Sequence, residues 1–336
     1  MNMTTIAAMA ASTVRISTPY AAGALGGTLS ERGGVVNIAL EGIMLTGAFA
    51  FVTASWWVST RLGAAPQWLA PVAGLAAAVT CGFLVSLAHA VLTVSFKADN
   101  IISGLAINIF AFGATSFLLV RIFGSSSNSA RVPSFSNWAL FNPGGTLGAI
   151  NDIFNPLIML TIIMFVASQI LLDHTRFGLR LRAAGENPSA ADSLGVNVSR
   201  CRYSGVLLGG MAASVGGAWL ASDQGLFSAG MTNGRGYIAL AAMIIGKWRP
   251  WSAAGACLIF GFAEAAQNHL QIYKQSLRGL DAAALDLPQR VAATIPSQAI
   301  QAFPYLLTIL VIAGFIGRST PPAASGKPYE TGNETA

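Results

Sequence analysis

Long apolar stretches separated by short polar connections dominate the pattern of the chain. A helix needs about 20 consecutive apolar residues to cross a bilayer. Seven stretches reach that length: residues 33–58, 68–95, 99–121, 153–172, 203–222, 251–270 and 298–317. Two others, 16–29 and 235–246, are apolar but short. The pattern predicts an all-α, polytopic membrane protein with about eight or nine membrane segments, some of them short or broken helices.

Composition supports this fold class and excludes several others. Only 10% of the 336 residues are charged, whereas soluble domains carry roughly 25%. Such a chain cannot cover a globule with solvated side chains, which excludes a soluble enzyme, a disordered chain and a disulfide-framed secreted domain. The net charge of +6 raises nucleic acid as a partner, but most arginines lie beside apolar segments. Membrane lipid is therefore the expected surrounding, and no nucleic-acid partner is expected.

The chain divides into one membrane domain and two tails. We expect an N-terminal tail at 1–15, a membrane domain at 16–318 and a disordered, proline-containing C-terminal tail at 319–336. Positive charge collects in the connection 173–202, which places that connection in the cytoplasm. Alternation then puts the C-terminus in the cytoplasm and requires 235–247 to cross the membrane. The side of the N-terminus stays open, because 16–29 either spans or dips back.

One predicted span carries small residues at every fourth position. They are Gly205, Gly209, Ala213 and Gly217. Such a face lets helix backbones approach closely in lipid, where no hydrophobic force drives helices together. We predict a helix-packing face here.

The sequence also contains a faint internal echo. At an offset of 200 residues, Gly34 matches Gly234, and 38–40 match 238–240. Many transporters are built from repeats with broken helices at corresponding positions. An internal repeat is one interpretation, and chance identity in an alanine-rich chain is the other.

The connection 173–202 contains the signals of a short helix at 188–194. Asn187 is a good N-cap, Pro188 suits the first helical turn, and Gly195 suits a left-handed C-terminal position. An ordinary ordered loop would explain these signals structurally. The functional interpretation is a docking element that fits a groove on a cytosolic partner.

Several blocks resemble one family of transport proteins. The segment GLRLRAAGENPSAADSLGVNVSRCRYSGVLLGG (178–210) resembles the cytoplasmic coupling loop of permease subunits of ATP-binding-cassette (ABC) importers, in the group for branched-chain amino acids, simple sugars and nucleosides. GGTLSERGGVVNIALEGIMLTGAF (26–49) resembles the signature of its nucleoside and simple-sugar subgroup. NIISGLAINIFAFG (100–113) and GRGYIALAAMIIGKWRPWSAAGA (234–256) resemble two further blocks in the same order. Overall the chain most resembles the shorter permease of nucleoside importers.

The resemblance implies a permease in the cell (inner) membrane that works with other subunits. These are a cytosolic ABC ATPase, a second permease in a heterodimer, and an extracellular or periplasmic substrate-binding protein. The chain contains no GxxxxGK[ST] phosphate loop, so we expect it to bind no cofactor and the ATP to lie on the partner. The residues expected to couple to the ATPase are Glu186, Asn187, Pro188, Ala190, Ala191, Asp192 and Gly195.

Polar groups inside membrane segments are costly and usually functional, so they mark the expected substrate path. The candidates are Asn37, Glu41, Asn108, Phe110, Glu264 and Gln267. Carboxylate and amide groups suit a ribose diol or a purine edge, and an aromatic ring could stack on a base. The alternative for each polar group is an interhelix hydrogen bond, and for Glu264 a pairing with Arg235.

Two other functions remain as alternatives. A simple-sugar permease of the same family shares the subgroup signature, and an ion-coupled secondary transporter could use Glu41 and Glu264 as proton carriers. The coupling loop argues against a secondary transporter, because such a carrier has no use for a docking helix. An enzyme is not expected, since no nucleophile or metal cluster occurs among the three histidines and the scattered carboxylates.

Overall fold

The structure, a computed structural model, describes residues 3–62, 66–135, 138, 152–277, 294–315 and 319–330. Its helices are α1 Met3–Arg32, α2 Leu40–Arg61, α3 Leu69–Ala90, α4 Asn100–Phe123, α5 Pro156–His174, α6 Arg176–Glu186, α7 Pro188–Ser193, α8 Val198–Gln224, α9 Arg235–Ile245, α10 Pro250–Ser276 and α11 Ser297–Phe315. A π-helical turn, Val91–Ser95, extends α3, and a 3-10 turn, Asp152–Phe154, precedes α5. Among these residues the β-type pairing is one isolated bridge, Asn128 with Ser228. The all-α prediction is confirmed.

Five helices in the described residues are long and apolar enough to cross a membrane. They are α2, α3 with its π-helical turn, α4, α5 and α8. All five overlap predicted spans, and α9 is a shorter apolar helix. The polytopic membrane class predicted from the sequence is confirmed, together with its short helix.

The segment predicted as an N-terminal tail, 1–15, is helical from Met3 onward, because α1 begins there and runs without interruption to Arg32. At about 1.5 Å per residue, a helix of 30 residues is about 45 Å long. Pro19 lies within it and removes the amide that would bond to the carbonyl of Arg15. The indole of Trp219 donates to that carbonyl instead, at 3.0 Å. A tertiary contact thus replaces the backbone bond that proline removes.

Helices α1 and α8 form the centre of the bundle, and small residues allow their contact. A Cβ atom added to Gly209 would lie 2.4 Å from the carbonyl oxygen of Gly26. Gly205 and Ala213 also lie against α1, whereas Gly217 lies against the backbone of α2. The small residues of α8 therefore meet two neighbouring helices.

The end of the bundle that carries α6 and α7 is called the loop end. Two helices, α2 and α9, begin inside the bundle and not at one of its ends. After α1 ends at the loop end, the link 33–39 is non-helical, with Gly34 at φ +93°, and α2 starts only at Leu40. Helix α9 starts at Gly234, also left-handed, and its 11 residues are about 16 Å long, half of a ~30 Å hydrocarbon core. The two helix starts touch, because a Cβ on Gly236 would lie 2.5 Å from the amide nitrogen of Glu41.

The crossing predicted for 235–247 stays a prediction. The segment that contains it runs between the two ends of the bundle: Phe227 bonds to Ser129 at the opposite end, while Trp248, just after α9, bonds to Glu31 at the loop end. The two left-handed glycines, Gly34 and Gly234, are the positions matched by the internal echo. The repeat itself stays a prediction.

The C-terminal tail is predicted to be disordered, but its described part is ordered. Residues 319–330, here the C-terminal strap, lie across the loop end. Backbone bonds join Ala324 to Gly185 at 2.9 Å and Gly326 to Gly34 at 3.0 Å. The carbonyls at the end of α6 and in the 33–39 link lack helical partners, and the strap satisfies them. Residues 331–336 of the predicted tail lie outside the described residues.

Candidate functional site

Glu41 caps the start of α9 from the first turn of α2. Its two carboxylate oxygens accept the amide protons of Gly234, at 2.8 Å, and Gly236, at 2.6 Å. The first amides of a helix have no intrahelical acceptor and carry the positive end of its dipole. A carboxylate satisfies both needs, so Glu41 joins the two broken helices inside the bundle.

Asn108 of α4 locks the same junction. Its amide nitrogen donates to the carbonyl of Ile38 at 2.9 Å and to the Tyr237 hydroxyl at 3.0 Å, and its amide oxygen accepts from the nitrogen of Gly42 at 2.7 Å. The residue is 8% exposed. These three bonds occupy the amide, which gives Asn108 a structural role in holding the entry to α2 and the start of α9.

Two other predicted path residues lie apart from these contacts. Asn37 lies in the 33–39 link, fully buried, and its side-chain nitrogen and oxygen have no hydrogen-bond partner among the described residues. A buried polar group usually has a hydrogen-bond partner, so the substrate-path role of Asn37 stays a prediction. Phe110 is 75% exposed on the outer face of α4 and does not join the junction.

A polar cavity of about 360 Å³ lies beside the junction. The Arg235 guanidinium is 2.8 Å from the Glu264 carboxylate, and the Tyr20 hydroxyl donates to the other oxygen of Glu264. The cavity is lined by Tyr20, Asn233, Arg235, Ile238, Phe260, Glu264, Gln267, Gln301 and Pro304. The structure therefore brings Glu264 and Gln267 together, and Arg235, which follows Gly234, connects the cavity to the Glu41 junction.

Sequence reasoning missed two aromatic hydroxyls, those of Tyr20 and Tyr237. Both lie in short apolar segments, where a phenol is a weak signal because tyrosine is common near membrane surfaces. The signal that could have identified them is a hydroxyl group within an apolar stretch, 16–29 for Tyr20 and 235–246 for Tyr237. Among the described residues, no group of three or more His, Cys, Asp or Glu side chains could hold a metal ion.

At the loop end, α6 and α7 form a helical hairpin. The Asn187 side chain caps α7 by accepting from the amide of Ala190 at 3.0 Å, Pro188 occupies its first turn, and Gly195 after it has φ +79°. The sequence predicts a helix at 188–194, and the structure forms one at Pro188–Ser193. Helix α6 lies in what the sequence treats as loop.

The coupling residues divide into exposed and buried groups. Glu186, Asn187, Ala190 and Gly195 are exposed, and Leu194 beside them is an apolar side chain that is 84% exposed. Ala191 is different: it is 3% exposed and packs in the cluster under α7. The coupling role of Ala191 stays a prediction, and in the structure its methyl group packs beneath α7.

The C-terminal strap contacts two of the predicted coupling residues. Glu186 accepts a bond from the amide of Ala323 at 3.2 Å, and Asp192 accepts one from the Tyr329 hydroxyl at 2.9 Å. Burial, together with the bond to Asp192, raises the pKa of Tyr329. A phenol is protonated at neutral pH even without this shift, since its ordinary pKa is about 10, so the hydroxyl can donate to Asp192.

Known proteins resemble this chain along nearly its whole length. Residues 9–314 match the family described as branched-chain amino acid transport system, permease component. The chain is 40% identical over 329 residues to the guanosine ABC transporter permease protein NupQ of Bacillus subtilis, covering 95% of each protein. It is 38% identical over 316 residues to the nucleoside ABC transporter permease protein NupC of Lactococcus lactis, covering 93% of each.

A more distant relative carries a different substrate in its name. It is the putative glucose ABC transporter permease protein TsgC13 of Haloferax volcanii, 29% identical over 313 residues, which are 90% of this chain and 89% of the relative. The relatives are transport proteins rather than enzymes, and the family match covers most of the residues that build the broken-helix junction and the helical hairpin. The chain is a multi-pass membrane protein and belongs to the family of permease components of branched-chain amino acid transport systems.

Proposed function

We propose that the chain is the membrane-spanning permease subunit of an ABC importer that carries nucleosides into the cell. The observation that carries this proposal is near full-length similarity to two permeases, at 40% and 38% identity, whose names specify guanosine and nucleosides. The relative named for glucose is more distant, at 29% identity. A simple-sugar permease is therefore the second candidate.

The proposed energy source is a separate ATPase that docks at the loop end. The chain has no phosphate-binding loop of its own. Helix α7 presents Ala190 and, just after it, Leu194, and an exposed apolar residue on a capped helix suits insertion into a hydrophobic groove. In this proposal the loop end and the C-terminal strap lie in the cytoplasm, as the basic residues of 173–202 favour.

The remaining proposed partners occupy other surfaces. Helix α4 exposes a broad apolar face that includes Ile102, Ile109, Phe110 and Phe117, which is suited to lipid or to a second membrane subunit. We propose a second permease in a heterodimer, as the family resemblance implies, and a substrate-binding protein at the opposite end of the bundle.

An ion-coupled secondary transporter receives no support from the geometry. Both oxygens of Glu41 are engaged by backbone amides, and Glu264 is held by Arg235 and Tyr20. The chain also belongs to a family of permease components, whose relatives are named as ABC transporter permeases.

The test begins with affinity purification of the tagged chain in mild detergent, followed by mass spectrometry of the proteins that co-purify. We expect an ABC ATPase and a second permease, and we expect the reconstituted complex with its binding protein to take up guanosine only when ATP is inside the vesicles with the ATPase. Uptake without ATP would overturn the ABC mechanism. ATP-dependent uptake of glucose but not of nucleosides would support the sugar alternative.

A further inference from the structure

A second polar cavity lies on the other side of Arg235, toward the opposite end of the bundle. This second cavity, of about 250 Å³, lies between α1, α8 and α10, and Arg235 lines both cavities. Its other charged lining residues are Arg15, in the half of α1 away from the loop end, and Asp223, near the end of α8. We call the two cavities together the polar passage, because they share Arg235 and together extend from the end of α8 to the start of α9.

The charges along the polar passage cancel. Arg15 pairs with Asp223 at 2.7 Å, and Arg235 pairs with Glu264 at 2.8 Å. No other charged side chain lines either cavity among the described residues. The other polar lining groups are neutral hydroxyls and amides, which include those of Tyr20, Asn233, Gln267, Asn268 and Gln301.

The Arg235–Glu264 pair remains partly open to the cavity. Its two side chains are 22% and 20% exposed, so a solute in the cavity can reach them. A carboxylate that accepts, a guanidinium that donates and the Tyr20 hydroxyl match the mixed hydrogen-bonding groups of a sugar diol or a purine edge. The cavity of about 360 Å³ falls in the range of about 300–1,000 Å³ that small-molecule sites occupy.

A charge-balanced polar cavity discriminates between solutes by their charge. A neutral polar solute can replace water by hydrogen bonding to the lining, whereas an anion loses its hydration and gains no unpaired positive partner. We propose that the polar passage selects neutral polar solutes, so that it admits a nucleoside and rejects the corresponding nucleotide, and that the Arg235–Glu264 pair sets this selection. This inference rests on the proposed import of nucleosides.

The test introduces a reporter thiol into the passage, Gln267→Cys, in the purified complex. Its modification rate is measured with thiol reagents of equal size that are neutral, anionic or cationic, and the rate of the complex without the added thiol is subtracted. We expect guanosine to slow modification and guanosine monophosphate at the same concentration to leave it unchanged. Gln301→Cys on α11 is a second reporter in the same cavity, for use if the first variant assembles poorly.

Charge variants then test the role of the ion pair. Glu264→Gln leaves Arg235 unpaired and should raise the ratio of anionic to cationic modification rates on the order of tenfold, as expected for removing one nearby charge. Arg235→Gln should lower the same ratio, and the double variant, which is again neutral, should restore it. Protection by guanosine monophosphate should appear in Glu264→Gln and be absent in the double variant, a result that a merely structural ion pair would not give.

Several results would overturn the inference. They are an unchanged rate ratio in both single variants, equal protection by guanosine and its monophosphate, and no protection in a complex that does take up guanosine. ATP-dependent guanosine uptake is measured on the same preparation before modification. Its absence would count against the proposed nucleoside function, whereas the reagent ratio reports the cavity charge without any need for uptake, so the two proposals fail separately.

Discussion

Replacing Glu41 with glutamine removes the negative charge at the start of α9 and leaves one of two amide protons without an acceptor. In the structure both carboxylate oxygens are used, one by Gly234 and one by Gly236. A glutamine side chain has only one acceptor oxygen, and its amide NH2 group, which is a donor, would face a second donor, a backbone N–H. We therefore expect Glu41→Gln to weaken the junction between α2 and α9.

The cost follows from these two contacts. An unsatisfied buried amide costs roughly 1–3 kcal/mol, and loss of a carboxylate at a helix N-terminus costs about 0.3–1 kcal/mol, or up to ~2 kcal/mol where it is partly buried. Because the contacts are coupled, the expected loss is about 1–4 kcal/mol, which is below the full sum of about 1–5 kcal/mol. With an unfolding entropy of about 2.1 cal/mol/K per residue over 336 residues, that loss lowers the unfolding midpoint by roughly 1–6 °C.

The assay is thermal unfolding in detergent, with transport measured on the same preparation. Asp99→Asn is a control, because Asp99 is exposed at the start of α4 and accepts from the amides of Ile101 and Ile102 with a single oxygen, Oδ1, which asparagine retains. We expect the control to lower the midpoint by less than half as much. An unchanged midpoint in Glu41→Gln, with transport lost, would refute the capping role and restore Glu41 as a substrate contact.

Three further predictions concern the docking helix, the helix packing and the strap. Leu194→Arg should abolish co-purification of the ATPase while the permease is produced normally, whereas Ala191→Arg should lower the yield of folded permease. Normal co-purification of the ATPase with Leu194→Arg would contradict the docking assignment. Gly209→Ala should cost about 1–3 kcal/mol because its Cβ meets the backbone of α1. Gly113→Ala in α4, with nothing within 4 Å, should keep or slightly raise the unfolding midpoint, because alanine favours the helix by about 0.5–1 kcal/mol; equal midpoints of the two variants would refute close packing. Tyr329→Phe should increase hydrogen exchange in α7 at neutral pH by removing one bond worth about 0.5–1.5 kcal/mol, and unchanged exchange would show that the strap does not stabilise that helix.

Much of the fold follows from local sequence. Apolar stretches of membrane length predict α2, α3, α4, α5 and α8 because backbone groups in lipid must be satisfied within a helix. Short-range capping signals predict α7, since Asn187, Pro188 and Gly195 act on their immediate neighbours. These features depend on residues a few positions apart, and for this reason the sequence alone is sufficient.

The features that the sequence did not predict depend on contacts between segments that are far apart in the chain. The N-terminal helix contains Pro19, which has no amide proton to donate to the carbonyl of Arg15. The indole N–H of Trp219, about 200 residues later, donates to that carbonyl in its place. The C-terminal strap is ordered because carbonyls of Gly34 and Gly185 bind its amides. Neither partner can be recognised from the local pattern of these segments.

The sequence by itself determined the membrane class, the principal helices, the short helix α7 and the set of intramembrane polar residues, because hydropathy and capping are local properties. Only the tertiary structure decided what those polar residues do. It placed Glu41 on the amides of α9 and Asn108 on the link before α2, and it joined Glu264 to Arg235 and Tyr20 in a shared cavity. The physical reason is that the function of a polar group in a membrane depends on the partner that satisfies it, and these partners come from helices far apart in the chain.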